Sequence, residues 1–153
     1  MKRESGVLMH ISSLEMAQSI AFLDESAIEL IRRFTPGPRT LGVKRRDSLP
    51  SVAVSGGETV GLRFPSNNVF LEISKAFGAP IAATSANISG QESAKSSADL
   101  SPVMDIADVV IDSGICEYGL ESTIVSLVGD RPKILRQGSF PRELIEEVLG
   151  ICD

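Results

Sequence analysis

A chain of 153 residues, 42% of them hydrophobic and 23% charged, has the composition of one folded domain and not of a disordered polymer. No apolar run approaches the ~20 residues that a membrane-spanning helix needs, and no secretory signal opens the chain, so a cytoplasmic setting with no membrane partner is expected. A net charge of −5 argues against non-specific nucleic-acid binding through bulk charge. Two isolated cysteines, Cys116 and Cys152, make neither a metal spacing nor a disulfide framework, and the single histidine, His10, excludes a His-rich metal site.

Ser12-Ser13-Leu14-Glu15 reads as a capping box, with Ser12 at N-cap and Glu15 at N3, opening a short helix to about Leu23. Asp24 caps a second helix, Glu25 to Phe34, which Thr35-Pro36-Gly37-Pro38 breaks. Thr40 to Lys44 reads as a strand, Arg45 to Gly57 as a polar loop, and Thr59 to Phe64 as a strand stopped by Pro65. Asn68 caps a third helix with Phe70, Ile73 and Phe77 inward and Gly78 at C′. Pro80 to Thr84 is the next strand, Gln91 to Ser101 a loop with a turn of helix, and Ala107 to Ile111 a strand. Ser122 to Val128 and Lys133 to Arg136 form a hairpin around Gly129-Asp130-Arg131-Pro132, and Ser139 caps a last helix reaching Leu149. Strands interleaved with helices predict an α/β fold of α+β type: a twisted, mixed, open sheet with helices packed on it, in a single domain over 1–153.

The stretch Ala79-Pro80-Ile81-Ala82-Ala83-Thr84-Ser85-Ala86-Asn87-Ile88-Ser89-Gly90 carries the strongest hint of chemistry. An apolar strand core gives way to hydroxyls, an amide and a glycine. Such groups suit an oxygen-rich ligand, because short side chains donate and accept within a rigid reach and glycine admits a close anion. The same residues also make an ordinary polar turn. Arg63 and Arg136 each stand at the end of an apolar strand, in Val60-Gly61-Leu62-Arg63 and Ile134-Leu135-Arg136. Each is either a surface arginine with its stem laid along apolar neighbours or a guanidinium aimed at a carboxylate; two in one acidic chain favour an anionic ligand. Ser122 opens a strand where its hydroxyl can reach such a ligand. No Walker loop is present, the run Lys44-Arg45-Arg46 reads as a solvated face, and His10 reads first as a structural histidine near the pocket.

Five segments in order resemble the YrdC-like family of threonylcarbamoyl-AMP synthases. They are Phe34-Thr35-Pro36-Gly37-Pro38-Arg39-Thr40, Thr59-Val60-Gly61-Leu62-Arg63-Phe64-Pro65, Thr84-Ser85-Ala86-Asn87-Ile88-Ser89-Gly90, Asp112-Ser113-Gly114 with Gly119-Leu120-Glu121-Ser122-Thr123-Ile124-Val125, and Ile134-Leu135-Arg136-Gln137-Gly138. The resemblance implies a YrdC-like fold that makes L-threonylcarbamoyl-AMP from L-threonine, bicarbonate and ATP with Mg²⁺, releasing pyrophosphate and feeding the t6A modification of tRNA. It implies that Thr59, Ser85, Asn87, Ser93 and Arg136 hold ATP, joined by Lys2 and Arg3, which match the family's Lys-x-Arg motif loosely. It implies that Arg63, Ser122, Ala83 and His10 hold threonine, with Arg63 on its carboxylate.

The departures set further expectations. The family's opening segment precedes Lys-x-Arg, so the chain reads as N-terminally truncated, with weak nucleotide binding and reduced or no activity alone, and with an uncovered sheet edge that invites a homodimer. The family's Asp after Ser-Thr-Val-Val is Ser126 here. The alternative reading is a nucleotide- or double-stranded-RNA-binding module of the same fold without synthase activity, and that requires Lys44, Arg45, Arg46, Arg63 and Arg136 to share one face. A carbamoyl-transfer domain like that of hydrogenase maturation proteins is a third reading, unsupported by accompanying acylphosphatase or zinc-finger segments. Proteins of the t6A pathway, and tRNA itself, are the partners the first reading implies.

Overall fold

A computed structural model of the chain describes residues 7–88, 91–92, 94–112, 114–115 and 122–153. The chain divides into two compact units, Met1–Ala83 with Leu120–Asp153, and Thr84–Gly119. The first holds a six-stranded sheet in the order β4-β1-β3-β2-β5-β6. Its strands are β1 (Leu8–His10), β2 (Arg39–Lys44), β3 (Thr59–Arg63), β4 (Ile81–Ala83), β5 (Thr123–Ser126) and β6 (Lys133–Arg136). β1 with β3 and β2 with β5 are parallel; the other neighbours are antiparallel, which makes the sheet mixed as expected. Four helices belong to the same unit: α1 (Leu14–Ile20), α2 (Glu25–Phe34), α3 (Asn68–Phe77) and α5 (Arg142–Leu149). The second unit carries a 3₁₀ turn at Ser97–Leu100 and the one-turn helix α4 (Ser101–Met104), the turn of helix expected after Gln91. No helix among the described residues is long and apolar enough to cross a membrane.

Strand alternation gives the sheet two chemically different faces. Met9, Leu41, Val43, Val60, Leu62 and Val125 point to one and are buried, against Ala17 and Ile20 of α1, Leu30 and Ile31 of α2 and Ile145 of α5. Truncating such a residue to Ala costs roughly 2–5 kcal/mol, so this face anchors the fold. The second face bears the polar residues described below.

Several boundaries differ from the sequence reading. Ser13, not Ser12, caps α1: its Oγ accepts from Met16 N at 3.1 Å. The helix stops at Ile20 and not near Leu23, because Ala21 bridges to Arg45 and Phe22 N donates to Lys44 O, so the chain leaves the helix extended along the end of β2. β1 was not foreseen; three residues give too short a run to show alternation. Asp24 caps α2 as expected. Asn67, not Asn68, caps α3, and Gly78 ends it with a left-handed φ of 71°. Ile73 and Phe77 of that helix are exposed and not inward. Residues 107–111 form no strand: Val109, Val110 and Ile111 are exposed and find no ladder partner. The last helix begins at Arg142 after Pro141 and not at Ser139, because Phe140 is held by its backbone on the Thr123 hydroxyl, with N at 3.2 Å and O at 2.8 Å. The β5–β6 hairpin forms as read, with a register shift between Ile124 and Val125.

Candidate functional site

The second face of the sheet gathers the charged groups. Arg63 ends β3, level with His10 on β1 and with Thr40 on β2. Across β5, Ile124 is level with both Thr40 and Arg136. Alternation therefore puts His10, Arg63, Thr40 and Arg136 in one row on one face. The register shift in the hairpin keeps Arg136 on that face while Ile134, opposite Val125, stays with the core.

Hydrogen bonds fix two groups of the row, Arg136 and Thr40. Arg136 donates from Nε and Nη2 to the Ser122 carbonyl, at 3.1 and 3.0 Å, and from Nη2 to Ser122 Oγ at 3.4 Å. Ser122 Oγ shares a 3.0 Å hydrogen bond with Thr40 Oγ1, and both residues are buried. Ser122 thus holds Arg136 and Thr40 with the hydroxyl that the sequence offered to a ligand. Thr123 Oγ1 accepts from Gly138 N at 2.9 Å and so fixes the turn that follows Arg136.

Arg63 is different. Its Nε is buried without a hydrogen-bond partner, and no carboxylate among the described residues pairs with it. Burial, then the charge of Arg136, lowers its pKa. A half-buried guanidinium facing a second one is short of a negative charge, and a carboxylate in the low-dielectric site can accept two of its hydrogens at once. His10 stacks edge-on against Phe70 at 5.4 Å. Burial, then Arg63, lowers its pKa from 6.5 to about 4, so at neutral pH it is an uncharged imidazole.

The other candidates sit as follows. Thr59 is on the same face of β3 as Arg63, four positions back and exposed. Ala83 is on edge strand β4, level with Leu8. Ser85 and Asn87 belong to the second unit. Ser85 is exposed. Asn87 donates from Nδ2 to the carbonyls of Ile88 and Gln91, at 3.0 and 2.9 Å, and its Oδ1 is buried without a partner. Lys2, Arg3 and Ser93 lie outside the described residues, as do Ser89 and Gly90 of the small-residue stretch and Gly119, Leu120 and Glu121 before Ser122.

Three polar residues were missed as structural parts. Thr40 and Thr123 looked like plain β-branched strand residues. Arg39 is buried, donates to the α2 carbonyls of Leu30 (2.9 Å) and Phe34, bonds Thr35 Oγ1 at 2.8 Å and lies over the rings of Phe34 and Phe140. Burial lowers its pKa to about 10. An arginine just after a helix-ending Thr-Pro-Gly-Pro is the one sequence signal for such a clamp. The basic run is no uniform solvated face either: Arg45 donates to the carbonyls of Gly57 and Leu49, each at 2.9 Å, while Arg46 lies 4.3 Å over the Phe22 ring.

Comparison with known proteins identifies the family. The Sua5/YciO/YrdC family model, described as telomere recombination, matches residues 1–138. The chain is 36% identical over 149 residues to the threonylcarbamoyl-AMP synthase of Pyrococcus abyssi, covering 96% of this chain and 44% of that protein. It is 34% identical over 151 residues to the Bacillus subtilis threonylcarbamoyl-AMP synthase, covering 96% of this chain and 43% of the relative. The solved structure of P. abyssi Sua5 complexed with L-threonine superposes with a TM-score of 0.90 at 35% identity, over 96% of this chain and 44% of that one. The chain thus spans under half the length of these curated relatives. With most of its length matched by the family model and a TM-score of 0.90 to a solved relative, the chain belongs to the Sua5/YciO/YrdC family.

Proposed function

We propose that this chain carries the synthase fold of an L-threonylcarbamoyl-AMP synthase: L-threonine, bicarbonate and ATP in, threonylcarbamoyl-AMP and pyrophosphate out, for t6A modification of tRNA. The observation that carries the reading is Arg63, whose guanidinium stands on the second face with a buried, unpartnered Nε beside a neutral His10. A free amino acid brings the carboxylate that this group lacks. The naming of the P. abyssi and B. subtilis relatives, and the L-threonine complex of the former, support that choice.

In this reading Arg63 grips the threonine carboxylate in a two-bond fork, with His10, Ala83 and Ser122 at the same pocket. Arg136 meets the nucleotide, with Thr59, Ser85, Asn87, Ser93, Lys2 and Arg3 as further ATP contacts. The threonine amine bonds to the bicarbonate carbon as a C–O bond breaks and water leaves, and an oxygen of the resulting carbamate attacks the α-phosphorus. The bond to the bridging oxygen breaks and pyrophosphate leaves with the electron pair. The chain contributes positioning and positive charge where negative charge gathers. Neutral His10 adds no third cation to the site. Among the described residues no His, Cys, Asp and Glu group could cage a metal. Mg²⁺ is read as a companion of the triphosphate, and no step is assigned to it. The product goes to the tRNA-modifying proteins of the t6A pathway, in the cytoplasm where ATP and tRNA meet. A homodimer through the β4 edge belongs to the same reading.

The test is pyrophosphate release by the 153-residue chain with ATP, Mg²⁺, bicarbonate and L-threonine. Release that depends on threonine, even at a reduced rate, supports the reading. A hydrogen bond to a charged group contributes about 1.5–3 kcal/mol, so Arg63→Ala should weaken L-threonine and Arg136→Ala should weaken ATP, each by about 10–100-fold in calorimetry. Threonine binding unchanged in Arg63→Ala would remove the carboxylate grip and the reading with it.

A further inference from the structure

The second face is bare at its centre. Gly42 on β2 is level with Gly61 on β3 and with Ser126 on β5. A glycine inside a strand weakens it and often marks a close approach by something else. Gly61 has a packing reason: a Cβ there would stand 2.6 Å from Leu8 Cδ2 and 3.3 Å from Thr40 Cγ2. Gly42 has none. A Cβ at Gly42 would meet nothing nearer than Ser126 Cα at 3.5 Å, an ordinary contact, and its φ is not positive. The fold leaves room for a methyl group that the chain does not use.

The register orders this face in rows. Arg63, Thr40, Ile124 and Arg136 form one; Gly61, Gly42, Ser126 and Lys133 the next; Thr59 and Lys44 the third. Thr59 and Arg136 are the two nucleotide contacts proposed on this sheet. They lie three strands and two rows apart, about 20 Å at ~4.8 Å per strand and ~3.3 Å per residue. The line between them passes between Gly42 of β2 and Ser126 of β5. We infer that Gly42 is a specificity-determining residue: it keeps β2 bare beneath the bound nucleotide, and any side chain there obstructs it. Threonine, held in the Arg63 row, does not cross Gly42. The inference rests on the nucleotide reading above.

The experiment compares Gly42→Ala with the wild-type chain by thermal unfolding and by calorimetric titration with ATP in Mg²⁺ and, separately, with L-threonine. A methyl group fits the fold and strands favour Ala over Gly, so the Tm of Gly42→Ala should equal or exceed that of the wild type. Overpacking a ligand surface by a methyl group should weaken ATP by about tenfold or more and leave threonine within about twofold. Equal ATP affinity in the two proteins overturns this inference alone. A lowered Tm returns Gly42 to the fold and overturns it as well. A wild-type chain that takes up no ATP overturns the nucleotide reading and this inference together.

Discussion

At the scale of single residues, the site is a problem of charge. Burial first, then the charge of Arg136 on Arg63 and of Arg63 on His10, lowers both pKa values, and His10 stays neutral at neutral pH. That has a consequence for stability. The folded protein protonates His10 at about 4, the unfolded chain at 6.5. Between these values the unfolded state binds more protons, so stability rises with pH across this window and the His10 contribution is level above it. In urea unfolding, the difference in midpoint between wild type and His10→Asn should therefore change from about pH 4 to about 6.5 and be constant above. A constant difference throughout would show that His10 is not held neutral by its surroundings. Arg63 and Arg136 were legible in the sequence because a charged residue in an apolar strand is anomalous. Thr40 and Thr123 were not, because a buried hydroxyl and an exposed one look alike until its partner is known.

At the scale of elements, caps decide boundaries and tertiary contacts adjust them. Ser12 and Ser13 are equivalent candidates for the start of α1, yet only Ser13 turns its hydroxyl to Met16 N. Ser12 instead meets Ser74 of α3 at 3.0 Å. An N-cap hydroxyl contributes about 1 kcal/mol, so Ser13→Ala should lower the unfolding free energy by about that amount, measured in urea. Ser12→Ala leaves the cap intact but takes the partner from the buried Ser74 hydroxyl, so its loss, about 1–3 kcal/mol, should vanish in a Ser74→Ala background while that of Ser13→Ala persists; a Ser13→Ala loss that also vanishes there would remove the capping role. The end of α1 was not legible in the same way. Leu23 continues a helical pattern, but the ladder from Ala21 and Phe22 to the end of β2 draws the chain out of the helix.

At the scale of the molecule, the sheet has two ends of different character. Beside β6, the C-terminal tail exchanges Ile134 N to Asp153 O at 2.8 Å and Asp153 N to Pro132 O at 3.0 Å, which covers part of that edge. β4 is the other edge, three residues long. Val69, Ile73 and Phe77, spaced four apart on α3, are all exposed just before it. An exposed apolar stripe and a sheet-edge strand each favour self-association. The chain should therefore associate at tens of micromolar in sedimentation velocity (~10–100 μM, the range at which weak apolar contacts act), and the double variant Ile73→Ser with Phe77→Ser should move it toward monomer. A wild-type chain that stays monomeric across that range would remove the dimer from the proposal.

The sequence by itself determined the helices with clear caps, the hairpin at Gly129–Pro132, the mixed α/β class and the two arginines, because each rests on local pattern: a capping side chain, a turn, or a charge among apolar neighbours. The tertiary structure alone decided which strands lie beside one another. The parallel pairs β1–β3 and β2–β5 join segments far apart in the chain, and no local pattern encodes them. Those pairings set His10 beside Arg63 and Thr40 beside Ser122, and they leave Gly42 at the centre of the face. A row of side chains across a sheet exists only once register is fixed, and register is a property of the whole sheet and not of any one strand.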